Sequence, residues 1–131
     1  MFDLVTDPAS LALIQSFASA RKPVAAVCHG PVALLNATTP SGERLLRDAT
    51  VTAFSNVEEE QVKMAELMPF LLESELKKIS GLNFVKADQP WGEKVVVSKA
   101  YSLGGPVVTG QNPASAKGVA EALLKELGVN A

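Results

Sequence analysis

The stretch "PVAAVCHGP", residues 23–31, predicts a β-strand that turns directly into a helix. Its first part is a short, continuous apolar run rich in valine, which is typical of a strand buried on both faces in a parallel sheet. Gly30 and Pro31 end this run, and residues 31–37 are predicted to form a short helix. A tight turn between a strand and a helix exposes one side chain at the carboxyl end of the sheet. We therefore expect this turn to present Cys28.

Cys28 and His29 are the only cysteine and the only histidine of the chain. The first backbone N–H groups of a helix favour a thiolate and can bind an oxyanion. His29 can then transfer protons, provided that a carboxylate orients its ring. A lone cysteine at the end of a buried strand is, however, equally typical of a small apolar core residue. The residues alone leave both interpretations open.

Candidates for the carboxylate that orients His29 lie in "FSNVEEE", residues 54–60, just after a second apolar run. Glu58, Glu59 and Glu60 there follow a predicted strand end. Acidic residues in a first helical turn are also favoured by the helix dipole and by the capping box that begins at Ser55. At least two of the three glutamates are expected to have only that structural role.

Helices with clear start signals lie on both sides of these stretches. Asp7-Pro8 and Asn112-Pro113 each supply an N-cap followed by proline at the first helical position. The first helix is predicted to end at residues 21–22, and the last helix carries an apolar stripe that ends before Gly128. Two more helices are predicted between Ser55 and residue 81, interrupted at Pro69.

Further strands are predicted at residues 50–54 and 83–87, and a pair joined by a Gly-Gly turn at residues 94–110. Short strands that alternate with helices predict an α/β layer fold. The length of 131 residues predicts one domain over residues 1–131. Because no strand precedes residues 23–31, we expect the sheet to lack its first strands.

Composition excludes several classes of function. The net charge is −2, so neither nucleic acid nor an anionic membrane is an expected partner. No apolar run approaches the ~20 residues that span a bilayer, and the first residues do not form a signal peptide. One cysteine cannot form an internal disulfide, which favours a cytoplasmic protein, and it makes a structural zinc site improbable.

Four stretches together resemble the PfpI/ThiJ superfamily, which includes the parkinsonism-associated deglycase. These are "KPVAAVCHGPVALL" (22–35), "VTAFSNVEEE" (51–60), "PFLLESELKK" (69–78) and "VVTGQNPASA" (107–116). They are most similar to its branch of glutathione-independent glyoxalases (glyoxalase III) and heat-shock chaperones. The resemblance implies a flavodoxin-like, doubly wound parallel sheet in a three-layer sandwich. It covers essentially the whole chain but only the C-terminal part of a typical member.

The resemblance also implies a site. Cys28 matches the family nucleophile, His29 the histidine beside it, and Glu59 the acid that orients that histidine, with Glu58 as the alternative if the register differs by one. The implied reaction converts methylglyoxal to lactate, as a lyase of the D-lactate dehydratase type, without metal, glutathione or another cofactor. Trp91 and residues 111–113 match other family motifs, although helix capping by Asn112 and loop packing by Trp91 also account for them.

Typical members have an N-terminal portion that supplies strands, a glutamate near the cysteine and a glycine-rich turn. Without it, two alternatives stay open: a non-catalytic holdase chaperone or redox-sensing thiol protein, and a cysteine-dependent amidase or peptidase. We also expect a homodimer, since a shortened sheet leaves apolar surface exposed.

Overall fold

The fold begins with a helix whose start follows the sequence signals. The computed structural model describes residues 1–99 and 104–129, without the side chain of Leu82. Helix α1 spans Pro8–Ser19, and the Asp7 carboxylate accepts a 2.7 Å hydrogen bond from the Ser10 N–H, which confirms the N-cap. The helix stops before residues 21–22, because Arg21 adopts a left-handed φ of 58°. The expected end at those residues is therefore wrong by two positions.

A three-stranded sheet forms the centre of the molecule. Its strands are β1 (Val24–Val27), β2 (Val95–Ser98) and β3 (Val107–Gly110), in the order β1-β3-β2. β1 is parallel to β3, and β2 is antiparallel to β3. The pair β2–β3 confirms the two strands predicted within residues 94–110, whereas their turn includes residues 100–103, which lie outside the described residues.

The sheet is covered by helices on both faces, as an α/β layer fold requires. Val107 belongs to the same buried apolar cluster as Ala18 of α1. On the opposite face, Gly110 approaches Val119 of α4, the helix Ala116–Glu126. The α/β layer fold predicted from the sequence is thus confirmed, whereas the sheet is mixed rather than all parallel, because β2 is antiparallel to β3.

β1 is less buried than its apolar sequence predicts. All four residues of β3 are buried, but all four residues of β1 are only half-buried. Among the described residues, β1 pairs with β3 alone, so its other edge carries no partner strand. The expectation of a strand buried on both faces is met by β3 and not by β1.

Three predicted elements take other forms. Residues 31–37 contain a 3₁₀ helix, Gly30–Leu34. The strands expected at residues 50–54 and 83–87 are reduced to one isolated parallel bridge between Val51 and Phe84. The backbone of Val51 bonds to that of Asn83 and Val85, but the pairing does not extend further. The next N–H, of Thr52, donates to the Thr109 side chain at 3.0 Å.

Two helices follow this segment. The first begins after Ser55 and the second ends before Gly81, as predicted. Helix α2 spans Asn56–Gln61 after a Ser55 capping box, and helix α3 spans Leu72–Ser80 before Gly81, whose φ is 59°. Helix α2 ends well before Pro69, so the proline does not interrupt it. None of the described helices is long and apolar enough to cross a membrane.

The apolar stripe of α4 is only partly buried. Val119 is 7% exposed, but Leu124 and Leu127 are 36% and 56% exposed. The predicted stripe is therefore buried at Val119 and exposed towards its C-terminal end.

Candidate active site

The backbone at Cys28 is strained. Cys28 directly follows β1 and has a φ of 64°, a left-handed conformation that side chains other than glycine rarely adopt. Two hydrogen bonds impose it: the Cys28 N–H donates to the Gly110 carbonyl, and its carbonyl accepts from the Phe54 N–H, each at 2.9 Å. Strain of this kind persists where the surroundings over-determine it, often at functional sites. The tight turn predicted at Cys28 is confirmed.

Gly110 makes this arrangement possible by its lack of a side chain. A Cβ atom built there would lie 2.5 Å from Cγ2 of Val119 and 3.1 Å from Cγ2 of Val27. Only glycine therefore lets the end of β3 approach both α4 and β1 closely enough to accept the hydrogen bond from Cys28. Sequence reasoning assigned no role to this glycine.

The side chains of Cys28, His29 and Glu59 lie in one continuous contact chain. Nδ1 of His29 is 3.5 Å from Sγ of Cys28, and Nε2 is 2.6 Å from Oε2 of Glu59. The His29 side chain is 35% exposed, whereas that of Glu59 is 5% exposed. The structure thus brings together all three residues singled out in the sequence, and Glu59, not Glu58, is the carboxylate that contacts the histidine.

The contacts of His29 with Cys28 and Glu59 favour a protonated imidazole. The pKa of His29 is raised to about 9, mainly by the hydrogen bond with Cys28 and, against the opposing effect of burial, by the hydrogen bond and charge of Glu59. As an imidazolium, His29 can donate Nδ1–H to the sulfur and Nε2–H to the carboxylate at the same time. Both contacts therefore stabilise the charged form of the ring.

Aromatic rings line the other side of His29. The centroid of Phe54 lies 4.5 Å from that of His29, and the edge of Trp91 contacts Phe54 at a centroid distance of 5.5 Å. Trp91 is 41% exposed, so it packs against the site and remains open to solvent. Sequence reasoning matched Trp91 to a family motif but missed Phe54, although the "AF" that ends residues 50–54 precedes the capping box directly.

Glu58 is buried next to Glu59 and forms its hydrogen bonds with residues other than the histidine. Its exposed fraction is 0%, and it accepts hydrogen bonds from Ser55, Trp91, Gln111 and Asn112. Burial acts to raise the pKa of Glu58, but the hydrogen bonds from Ser55, Asn112 and Trp91 outweigh it and lower that pKa.

Asn112 belongs to this group and does not cap the last helix. Its amide donates to Glu58 at 2.8 Å and to the Gly92 carbonyl at 2.7 Å, and it makes no capping bond with its side chain. A 3₁₀ turn, Pro113–Ser115, precedes α4 instead. The capping role predicted for Asn112 is wrong.

The rest of the described chain offers no competing centre of this kind. Within residues 1–99 and 104–129, no group of three or more His, Cys, Asp or Glu side chains is arranged to bind a metal ion. A cavity of about 600 Å³ lies at the amino ends of β1 and β3, lined in part by Gln15, Arg21 and Pro106. It is at the opposite end of the strands from Cys28.

The chain is similar to proteins of one group. It is 36% identical over 107 residues to the probable glutathione-independent glyoxalase hsp3104 of Schizosaccharomyces pombe, covering 79% of this chain and 46% of that protein. It is 30% identical over 105 residues to glyoxalase 3 of Candida albicans, covering 77% of this chain and 42% of that protein. The chain thus spans about half the length of the curated relatives it matches. No family model matches it.

Solved structures also match this chain over about half of their own length. The crystal structure of glyoxalase III from Candida albicans superposes with a TM-score of 0.82 at 25% identity, covering 95% of this chain and 52% of that one. The rapid encystment protein of Francisella tularensis gives a TM-score of 0.83 at 31% identity, covering 96% of this chain and 52% of that one. The α/β fold and the grouping of a thiol, an imidazole and a carboxylate resemble those expected of the PfpI/ThiJ superfamily. Over about half of their length, the chain is similar to proteins of the glutathione-independent glyoxalase branch of that superfamily.

Proposed function

We propose that this chain carries the reactive residues of a glutathione-independent glyoxalase, which converts a small dicarbonyl such as methylglyoxal to lactate. One observation carries the proposal: a free cysteine at a strained turn contacts an imidazole that is paired with a buried carboxylate. The similarity to proteins named glyoxalases supports the choice of reaction class. Cys28 acts as nucleophile, His29 as proton carrier and Glu59 as the residue that orients His29.

The first step uses the protonated form of His29. The thiolate of Cys28 adds to the aldehyde carbon of the substrate, and the new alkoxide takes the proton of the imidazolium to give a hemithioacetal. His29 can supply this proton because its pKa of about 9 keeps it charged at neutral pH. No metal or external thiol takes part in this step.

The second step uses the neutral form. The hydrogen bond with Cys28 is the main cause of the raised pKa of His29, and covalent capture of the sulfur removes a thiolate from that bond. The pKa of His29 should therefore fall once the hemithioacetal has formed, so that the same imidazole becomes a base. It can then move the proton from the former aldehyde carbon to the neighbouring carbon, which leaves a lactate thioester. Water hydrolyses the thioester and restores the thiolate.

Incubation with methylglyoxal in the absence of glutathione tests the proposal. We expect lactate to form with the wild-type chain and to be lost in Cys28→Ala. The Glu60→Gln variant is a matched control, because Glu60 is exposed beside Glu59. Equal lactate formation by wild type and Cys28→Ala would refute the proposal.

We also propose that the protein is a cytoplasmic homodimer. Within residues 1–99 and 104–129, one edge of β1 has no partner strand. This edge and exposed apolar side chains such as Phe2, Leu13 and Leu127 support self-association. The same exposed surface favours a chaperone activity beside the enzymatic one. Sedimentation at micromolar concentration should give a dimer, and a monomer would contradict this part of the proposal. Suppression of client aggregation tests the chaperone activity.

A further inference from the structure

Glu58 has a more complete set of hydrogen bonds than its capping role requires. The capping box uses Oε2 alone, which accepts from the backbone N–H and the hydroxyl of Ser55, each at 2.8 Å. Oε1 accepts three further bonds: from the Trp91 N–H at 2.9 Å, from Gln111 at 3.0 Å and from Asn112 at 2.8 Å. These donors lie far from α2 in the sequence. A carboxylate that only capped α2 would not need them.

One of these bonds fixes the turn that carries Trp91. The backbone of Trp91 is left-handed, with a φ of 64°, and its N–H donates to Glu58. The Trp91 indole donates in turn to Gln61 of α2 at 2.6 Å. Helix α2 therefore binds both the backbone and the side chain of this residue, which sets the ring against Phe54.

The ring contacts continue from Trp91 to His29. Trp91 packs edge-on against Phe54, and Phe54 packs against the His29 imidazole at 4.5 Å between centroids. Glu59 contacts the same imidazole through Nε2. The imidazole is thus oriented between the aromatic rings and Glu59, and Glu58 anchors the far end of the aromatic contacts.

The other two bonds of Oε1 come from residues next to Gly110, which binds the backbone of Cys28. Gln111 and Asn112 directly follow Gly110, whose carbonyl accepts from the Cys28 N–H. One buried carboxylate therefore joins the helix that bears Glu59, the turn that bears Trp91 and the strand end that supports the thiol.

We propose that Glu58 is a positioning residue, which sets the Trp91 turn and the end of β3 so that His29 is aligned with Cys28 and Glu59. Its relevance to turnover rests on the proposed function, but its effect on the geometry of His29 does not. Two side chains that differ by one position thus have separate roles: Glu59 contacts the histidine, and Glu58 aligns the segments around it.

The Glu58→Gln variant tests this, with Glu60→Gln as the control. An amide at position 58 turns an acceptor into a donor that faces the Ser55 N–H, so the group of bonds cannot form as before. The single histidine can be titrated by NMR, and the single tryptophan reports on its own turn by fluorescence. We expect the proton affinity of His29 to fall about tenfold or more and the Trp91 emission to shift to the red. The control should match the wild type in both.

Turnover provides an independent measurement. Misalignment of a proton carrier by about 1 Å can cost on the order of 100-fold, so we expect kcat to fall about 10- to 100-fold with KM changed less than about twofold. If the wild type shows no glyoxalase activity but Glu58→Gln still shifts the titration of His29, the positioning role stands and the proposed function fails. A Glu58→Gln variant that matches Glu60→Gln in titration and fluorescence overturns the positioning role.

Variants of Trp91 keep the inference testable if Glu58→Gln does not fold. Trp91→Ala removes the ring that contacts Phe54 but leaves the backbone N–H for Glu58. It should lower the proton affinity of His29, and Trp91→Phe should restore it, since a phenyl ring can still pack on Phe54. Equal titration of His29 in the two Trp91 variants would contradict a role for the aromatic contacts.

Discussion

Nε2 of His29 lies 2.6 Å from Oε2 of Glu59, although the two residues are separated by 30 positions in the chain. Glu59 stands in the first turn of α2, where the helix dipole already favours a carboxylate. The same carboxylate is almost fully buried, so its charge acts on the imidazole with little screening by water. The pair therefore links the thiol segment after β1 to helix α2.

Replacement of Glu59 by glutamine should separate the charge of this residue from its size. The amide can still accept a hydrogen bond from His29, but it no longer stabilises the imidazolium. We expect the pKa of His29 to fall below about 9 and glyoxalase turnover to fall about 10- to 100-fold. NMR titration of His29 and lactate release measure the two effects. A variant whose His29 titrates as in the wild type would show that Glu59 does not act through its charge.

The pH dependence of folding stability should reflect the same imidazole. The pKa of His29 is about 9 in the folded chain against an ordinary value of 6.5, so folding favours the protonated form. The resulting stabilisation is fully present below pH 6.5 and is lost as the pH rises through about 9. We expect the difference in free energy of unfolding between wild type and His29→Gln to shrink over this interval. Denaturant unfolding at several pH values measures it, and a constant difference would contradict the assignment.

The sequence predicts the elements around the site better than it predicts the contacts within it. The capping box at Ser55 depends on neighbouring residues, so a local pattern is enough to find it. The position of the turn at Cys28 is marked locally by Gly30 and Pro31, but its left-handed conformation is held by the distant residues Gly110 and Phe54. The strand expected at residues 50–54 fails because Thr52 bonds to a side chain of β3, a partner 57 positions away. Local propensity contains no information on that pairing.

Asn112 illustrates the same limit at the site. An asparagine followed by proline has the local signature of an N-cap, and nothing nearby in the sequence points to Glu58. The partner lies 54 positions away and is reached only once β3 and α2 are packed together. Glu58 itself was predicted as a capping residue or as an alternative to Glu59, and the capping part is confirmed.

Gly110→Ala should destabilise the fold through the close approach of β3 to α4. The added Cβ would lie 2.5 Å from Val119 and 3.0 Å from the Ser115 Cβ, so the strand end must shift. We expect a loss of about 1–3 kcal/mol in the free energy of unfolding. Gly30→Ala is the control, because its Cβ would meet only Ala26 at 3.4 Å, an ordinary contact distance. Similar losses in both variants would contradict the steric explanation.

The strain at Cys28 can be measured by comparison of two variants that both lack the thiol. Glycine adopts the observed φ of 64° without steric cost, whereas alanine keeps the Cβ that causes the strain. Cys28→Gly should therefore be more stable than Cys28→Ala by about 1 kcal/mol in chemical denaturation. At Ala26, within the extended strand β1, the glycine variant should instead be less stable than the wild type. If Cys28→Gly were no more stable than Cys28→Ala, the turn would not be strained. A confirmed difference would mean that the hydrogen bonds from Cys28 to Gly110 and from Phe54 to Cys28 maintain an unfavourable backbone in order to present the thiol.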